Sequence, residues 1–249
     1  MKQSWVYELK NVSFSYNQQT VLNQIDLNIA LNERVMLLGP NGCGKSTLQK
    51  ILAGLLFADP GTVTAFSQPI TRKTMQDKHF AAKFRQKVGF VFQNSDVQLF
   101  CTSVLEEVMF GPLSMGLSFG EAKERAVELL TLAGIAHFRD CSPHHLSGGE
   151  KKKVAIVACL VTNPEVLIFD EPTNGLDPKS RRWIINMINE LNRMGKTIIL
   201  ATHYFEFVPE LADRVIVLDE THRIIANDVP EAILGNRELL LAANLIEEK

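Results

Sequence analysis

The sequence predicts an α/β fold built on a buried parallel sheet, and three strand-to-loop junctions carry that expectation. The apolar run Arg34-Val35-Met36-Leu37-Leu38 leads into Gly39-Pro40-Asn41-Gly42-Cys43-Gly44-Lys45-Ser46-Thr47, which fits the pattern G-x-x-x-x-G-K-[ST]. Val166-Leu167-Ile168-Phe169 is apolar at every position, as a strand covered on both faces must be, and it ends in Asp170-Glu171. Thr197-Ile198-Ile199-Leu200-Ala201 is a further strand of this kind and ends in Thr202-His203.

Taken in order, residues 5–31 alternate apolar and polar side chains around an Asn17-Gln18-Gln19 turn, which predicts antiparallel strands at one edge. In the loop that follows, Gly39, Gly42 and Gly44 let backbone N–H groups turn inward around a triphosphate. The helix opening near Lys45 aims its positive end at the same charge. There Lys45 reaches the β- and γ-phosphates, the Ser46 hydroxyl ligates Mg²⁺ and Thr47 holds the α-phosphate, while Cys43 fills a variable position. This helix is expected to continue through residues 48–56 and to stop at the turn Ala58-Asp59-Pro60-Gly61. Residues 62–85 read as polar and variable, and Val88-Gly89-Phe90-Val91-Phe92 as a strand.

Between Gln93 and Ser147 there is room only for a small helical subdomain, about 94–155. Its clearest helix spans 119–133, with Ala122, Ala126, Leu129, Leu130 and Ala133 on one face. Ser147 reads as the N-cap of a new helix, so Ser147, Gly148 and Gly149 form a second positive helix end fit for a γ-phosphate. Two phosphate-binding surfaces for one nucleotide make sense if two chains meet head to tail and each completes the other's site. Asp170 is then placed to bind Mg²⁺ through its water shell. Glu171 polarises the attacking water as general base, and His203 holds base, water and phosphate in line. A helix over 181–194 and a helical tail through 239–246 close the chain.

Composition agrees. A chain of 249 residues with 46% apolar content buries a large core, and its length suits one domain, residues 1–235, followed by a tail, 236–249. A net charge of −2 argues against a nucleic-acid partner. Cys43, Cys101, Cys141 and Cys159 lack C-x-x-C spacing, and Met1-Lys2-Gln3-Ser4-Trp5 leads straight into strand-like sequence, so reduced thiols and a cytoplasmic position are expected. No apolar run reaches the roughly 18 residues of a membrane span, so any transport path needs a partner.

The order of these motifs resembles the nucleotide-binding subunit of ATP-binding cassette (ABC) transporters, over residues 7–234. The resemblance implies a P-loop NTPase cassette: a RecA-like core, an antiparallel β edge subdomain and a helical subdomain. It implies that Gly39 to Thr47 is the Walker A loop, Val166 to Glu171 the Walker B strand, and Leu146 to Glu150 the signature motif. Gly175-Leu176-Asp177 then matches the D-loop and His203 the switch histidine. Tyr16 falls where the family stacks an aromatic ring on adenine, and Gln93 where a glutamine touches Mg²⁺ and the membrane partner. The implied cofactors are ATP and Mg²⁺. The implied partners are a second cassette, in a homodimer, and integral membrane subunits with a substrate-binding component, reached from the cytoplasmic face.

Two positions depart from the family pattern: Glu150 stands where Gln is usual, placing a carboxylate near the partner's nucleotide, and Tyr204 where Asp is frequent. Gln93 to Phe100, Val104 to Val108 and Phe110-Gly111-Pro112 are similar to energy-coupling-factor importers. Gly149 to Ala155, Pro172 to Pro178, Arg182-Trp183 and the Thr221-His222-Arg223-Ile224 turn are most like the cobalt and nickel branch, with a vitamin importer as the alternative. A soluble ABC ATPase of DNA repair needs a coiled-coil insertion or a basic groove, and a regulatory cassette would lack Glu171, His203 or an intact signature. Phe100, Val108 and Phe110 are expected to dock the membrane partner. Lys151-Lys152-Lys153 is expected to be a solvated face, and His144-His145 to hold no metal.

Overall fold

Two sheets and a helical layer make up the described residues, 5–247, of this computed structural model. Residues 1–4 and 248–249, the outer ends of the expected domain and tail, lie outside them. The strands are β1 (Trp5–Tyr16), β2 (Gln19–Ala30), β3 (Arg34–Leu38), β4 (Thr62–Ala65), β5 (Gln68–Pro69), β6 (Val88–Val91), β7 (Val166–Asp170), β8 (Thr197–Ala201), β9 (Arg214–Leu218) and β10 (Ile224–Asp228). The helices are α1 (Lys45–Leu52), α2 (Arg72–Gln76), α3 (Lys78–Lys87), α4 (Val104–Ser114), α5 (Phe119–Leu132), α6 (Gly148–Leu160), α7 (Pro178–Arg193), α8 (Val208–Leu211), α9 (Pro230–Gly235) and α10 (Arg237–Ala242).

The larger sheet runs in the order β10-β9-β3-β8-β7-β6. It is parallel from β9 to β6, with β10 antiparallel at the edge. Its strands alternate between two cores, because successive side chains point to opposite faces. Val35, Leu37, Ile168, Ile199 and Ile216 face α1 and the antiparallel sheet β2-β1-β4-β5, whose Tyr7, Leu9, Ile25 and Ile29 are fully buried there. Met36, Leu38, Leu167, Phe169, Ile198 and Leu200 face the other way, onto Ile184, Ile185 and Ile188 of α7. The tail joins this second core through Leu240 and Ala243. A third cluster, from Leu99 to Val161, holds α4, α5 and α6 together.

The β1–β2 hairpin forms as predicted, its turn residues Asn17 and Gln18 both at positive φ. Three expectations fail for identifiable reasons. The α1 helix ends at Leu52 because Gly54 takes φ +66 and the N–H groups of Leu55 and Leu56 fold back on the Lys50 carbonyl. Residues 62–85 contain elements after all: β4 completes the antiparallel sheet against β1, and α2 and α3 are capped by Thr71 and Asp77. They were illegible because each is short and buries at most two apolar side chains, α2 none. The tail helix stops at Ala242, ahead of Asn244 at φ +51.

Tyr7 joins sheet to helix: its hydroxyl, fully buried, donates to the Leu52 carbonyl at the end of α1 at 3.0 Å. Helix ends leave such carbonyls without partners. Tyr7→Phe is expected to cost about 1–2 kcal/mol and to lower the melting temperature by roughly 2–8 °C. An unchanged thermal unfolding curve would mean that water satisfies this carbonyl.

Candidate nucleotide site

Sheet register brings three strand ends level. Leu37 of β3 pairs with Ala201 of β8, and Ala201 pairs with Asp170 of β7, so the loops after all three strands open at one height. Two bonds continue the alignment past the strands, the Glu171 N–H to the Ala201 carbonyl at 2.9 Å and the Thr202 N–H to the Leu37 carbonyl at 3.3 Å. Open parallel sheets bind ligands at this edge, where strand order reverses. A cleft of about 530 Å³ lies there.

One wall is the loop before α1. Asn41, Gly42, Gly44, Lys45, Ser46 and Thr47 line the cleft. Gly44 holds φ +112, and a Cβ there would meet the Val21 carbonyl at 2.3 Å, so only glycine lets the loop enter the helix. The Lys45 ammonium donates to the carbonyls of Gly39 at 2.7 Å and Pro40 at 3.0 Å, which are the loop's own acceptors. Cys43, expected among the nucleotide-binding residues, turns its thiol into the core below, where burial raises its pKa. His222 braces the loop from behind, its Nδ1 lying 3.2 Å from the Cys43 carbonyl.

The Ser46 hydroxyl donates to Asp170 Oδ1 at 2.9 Å, so the two expected metal-side groups already touch. Burial pushes the Asp170 carboxyl above the usual range, and the Ser46 bond partly offsets this. A hydroxyl and a buried carboxylate, with the Gln93 amide on the same cleft, form an all-oxygen donor set that fits Mg²⁺. Next to Asp170, Glu171 is buried at φ +46, an uncommon conformation for a residue with a side chain and one that gathers at functional sites. Its Oε1 lies 3.0 Å from His203 Nδ1, and its Oε2 has no partner. Tyr16, at the end of β1, closes the outer edge of the cleft and packs edge-on against Phe14.

Ser147, Gly148, Gly149 and Asp177 do not line this cleft. They gather at a second place, where α6 and α7 begin side by side. A Cβ on Gly149 would lie 2.6 Å from Ser180 Oγ and 3.5 Å from Asp177 Oδ2. Asp177 caps α7, accepting from the N–H groups of Lys179 and Ser180. Ser147 caps α6 in a capping box with Glu150. The Glu150 carboxylate accepts from the Ser147 N–H and hydroxyl at 2.8 and 2.7 Å, which hold its pKa low. In the single chain this departure from the family Gln points back at Ser147.

Residues 22–174 match the family described as ABC transporter. The chain belongs to the ABC transporter family, and its catalytic activity is ATP hydrolysis. It is 42% identical, over 96% of its length and 75% of the relative's, to "Energy-coupling factor transporter ATP-binding protein EcfA" of Methanothermobacter thermautotrophicus. It is 40% identical to "Nickel import ATP-binding protein NikO" of Rhodobacter capsulatus, covering 96% of this chain and 95% of that one. Among solved structures it resembles the dimeric ATP-binding cassette MJ0796 in a post-hydrolysis state bound to ADP and Pi. There the TM-score is 0.81 and the identity 29%, over 90% of this chain and 98% of that one. Among the described residues no helix is long and apolar enough to cross a membrane.

Two residues escaped sequence reasoning. Gln49, fully buried, donates to the Phe169 carbonyl at 2.9 Å and so fixes α1 against β7 beneath the Ser46–Asp170 contact. Its signal was a polar side chain on the buried face of α1. Lys152, expected in a solvated face, is buried. Its neighbours are engaged too, Lys151 with Asp96 at 2.7 Å and Lys153 over the Trp183 ring.

Because the Asp170 carboxyl is raised in the folded chain, the native state keeps its proton to higher pH than the unfolded chain does. Stability therefore falls as pH rises through that window, and at neutral pH the ionised group is a burden. Asp170→Asn is expected to raise the melting temperature of the nucleotide-free chain by a few degrees, about 0.5–2 kcal/mol, while abolishing Mg²⁺-dependent ATP hydrolysis. A lower melting temperature would show the carboxylate to be net stabilising.

Proposed function

We propose that this chain is the ATP-hydrolysing subunit of an energy-coupling-factor importer for nickel or cobalt ions, working as a homodimer on the cytoplasmic side of membrane subunits. The observation that carries this is Glu171 at the cradle edge, one oxygen held by His203 and the other free, with a second positive helix end turned away from the same cleft. A fixed carboxylate with one oxygen left without a hydrogen-bond partner at the wall of the cleft is what a general base for water requires.

In this mechanism Tyr16 stacks on adenine and the loop from Gly39 to Thr47 wraps the phosphates. Lys45 exchanges the carbonyls of Gly39 and Pro40 for the β- and γ-oxygens. Ser46, Asp170 and Gln93 would hold Mg²⁺, which when bound neutralises charge on the bridging phosphate oxygens. Glu171 takes a proton from the attacking water while His203 keeps that carboxylate in place. Ser147, Gly148 and Gly149 of the partner chain close on the γ-phosphate, with Asp177 beside them at the seam. Closure then favours ATP over ADP, because only the third phosphate attracts both positive loop ends at once.

Transmission to the membrane is assigned to the face beside Gln93. Phe100 and Phe110 stand out there, 62% and 50% exposed, with their rings edge-to-face at 4.9 Å. Val108, expected with them, is instead fully buried in the helical core, because the two-residue step from it to Phe110 turns the helix by about 200°. The 40% identity to a nickel import protein supports a transition-metal cargo, and a vitamin importer is the alternative. Recovery of the intact complex from membranes, with its small integral partners identified, decides between them.

Glu171→Gln is expected to keep ATP binding, to trap a stable ATP-bound dimer and to lose turnover. Hydrolysis at the parental rate would assign the base elsewhere. Ser147→Arg should abolish turnover while leaving the single chain's ATP affinity within about threefold, since less than 1 kcal/mol separates such values. Parallel loss of affinity and turnover would contradict a site shared between chains.

A further inference from the structure

Lys152 lies in the second turn of α6, five residues beyond the Ser147 cap, and only 3% of its surface is exposed. Its ammonium donates to the Phe92 carbonyl at 2.9 Å and the Gln93 carbonyl at 2.6 Å. Among the described residues no carboxylate pairs with it directly. Asp170 is the acid whose field favours its charge, while burial pulls its pKa down to about 8. Burying an ammonium is costly, and a chain seeking stability alone would place an apolar side chain here.

What the cation gains is position. Residues 90–98 are stitched along α6 at several points. Lys151 pairs with Asp96 at 2.7 Å, Gln98 donates to the Ala155 carbonyl at 3.0 Å, and Cys159 donates to the Phe90 carbonyl at 3.1 Å. Gln98 also accepts from the Phe92 N–H at 3.1 Å. Among these contacts only Lys152 grips the backbone of Gln93, whose side chain lines the cleft. The same helix begins at Gly148 and presents the Ser147 end away from it.

We propose that Lys152 is a positioning residue that locks Gln93 to the helix bearing Ser147, so that occupancy of a chain's own cleft sets the pose of the anion-binding end it offers to its partner. This rests on the shared-site mechanism above, with Gln93 at the metal and Ser147 at the partner's γ-phosphate. A rigid helix bonded at one end to a ligand-sensing loop is a physical carrier of coupling, since both sites bias one element.

The test uses Lys152→Met and Lys152→Gln, the second retaining one donor for a carbonyl. The other contacts along α6 remain, so both chains should fold with melting temperatures within a few degrees of the parent. In the Glu171→Gln background, Lys152→Met should leave single-chain ATP affinity within about threefold and weaken ATP-driven dimerisation by about tenfold or more, the size of ordinary site-to-site coupling. Lys152→Gln should fall between Met and the parent. In the hydrolysing chain, Lys152→Met should lower kcat by about tenfold, but by less than about twofold when Gln93 is already Ala, because residues acting through one contact are not additive. Equal loss in both backgrounds overturns the inference, as does dimerisation of the Met variant at parental strength. If the Glu171→Gln parent itself stays monomeric with ATP and Mg²⁺, the shared site falls, and this coupling with it.

Discussion

The nucleotide site depends on backbone hydrogen bonds that have nothing to do with nucleotide, those that hold β3, β8 and β7 in one parallel register. A slip of one residue in any of them would send each inward side chain to the opposite face. It would also move Glu171 or His203 by about 3.3 Å along the sheet, more than the whole length of the contact between them. The two apolar cores on either face make such a slip prohibitive, because Val35 and Leu37 belong to one and Met36 and Leu38 to the other. Core packing in this way fixes the chemistry at the rim.

At that rim the chain keeps several groups in unfavourable states. Asp170 is a carboxylate under burial, Glu171 has a left-handed backbone and one buried oxygen without a partner, and Lys152 is an ammonium in the interior. Each would be more comfortable replaced, and each lies at the cleft or against a residue that lines it: Glu171 is part of its wall, Asp170 meets Ser46 and Lys152 meets Gln93. The stability that offsets them comes from the fully apolar strands beneath. The site is strained where charge must be handled and rigid immediately below.

The second anion-binding end obeys the opposite logic. Ser147 and Glu150 satisfy each other, Asp177 caps its own helix, and none faces the chain's own cleft. Such an end is complete as local structure and incomplete as a binding site. On the proposed mechanism a single chain offers half of each of two sites, so dimerisation and nucleotide occupancy form one equilibrium.

Features set by local chemistry were legible in the sequence. The phosphate loop depends on glycines within a few residues of each other, the apolar strands on unbroken runs, the helix starts on Ser147 and the alternation of residues 5–31 on a period of two. Where a side chain's fate depended on a distant element, sequence was silent or misleading. Three consecutive lysines look alike on paper, yet one meets Asp96, one meets the carbonyls of Phe92 and Gln93 and one lies over Trp183. Val108 and Phe110 differ by two positions and end on opposite sides of the same helix. Cys43 points down rather than at a ligand because the core lies beneath the loop. The sequence by itself determined the ligand class and the strand-to-loop junctions that present it, since those follow from backbone requirements of neighbouring residues. Only the tertiary structure decided which polar groups meet, because contacts between residues far apart in the chain, such as Lys152 and Phe92 or Glu171 and His203, are set by how the layers pack.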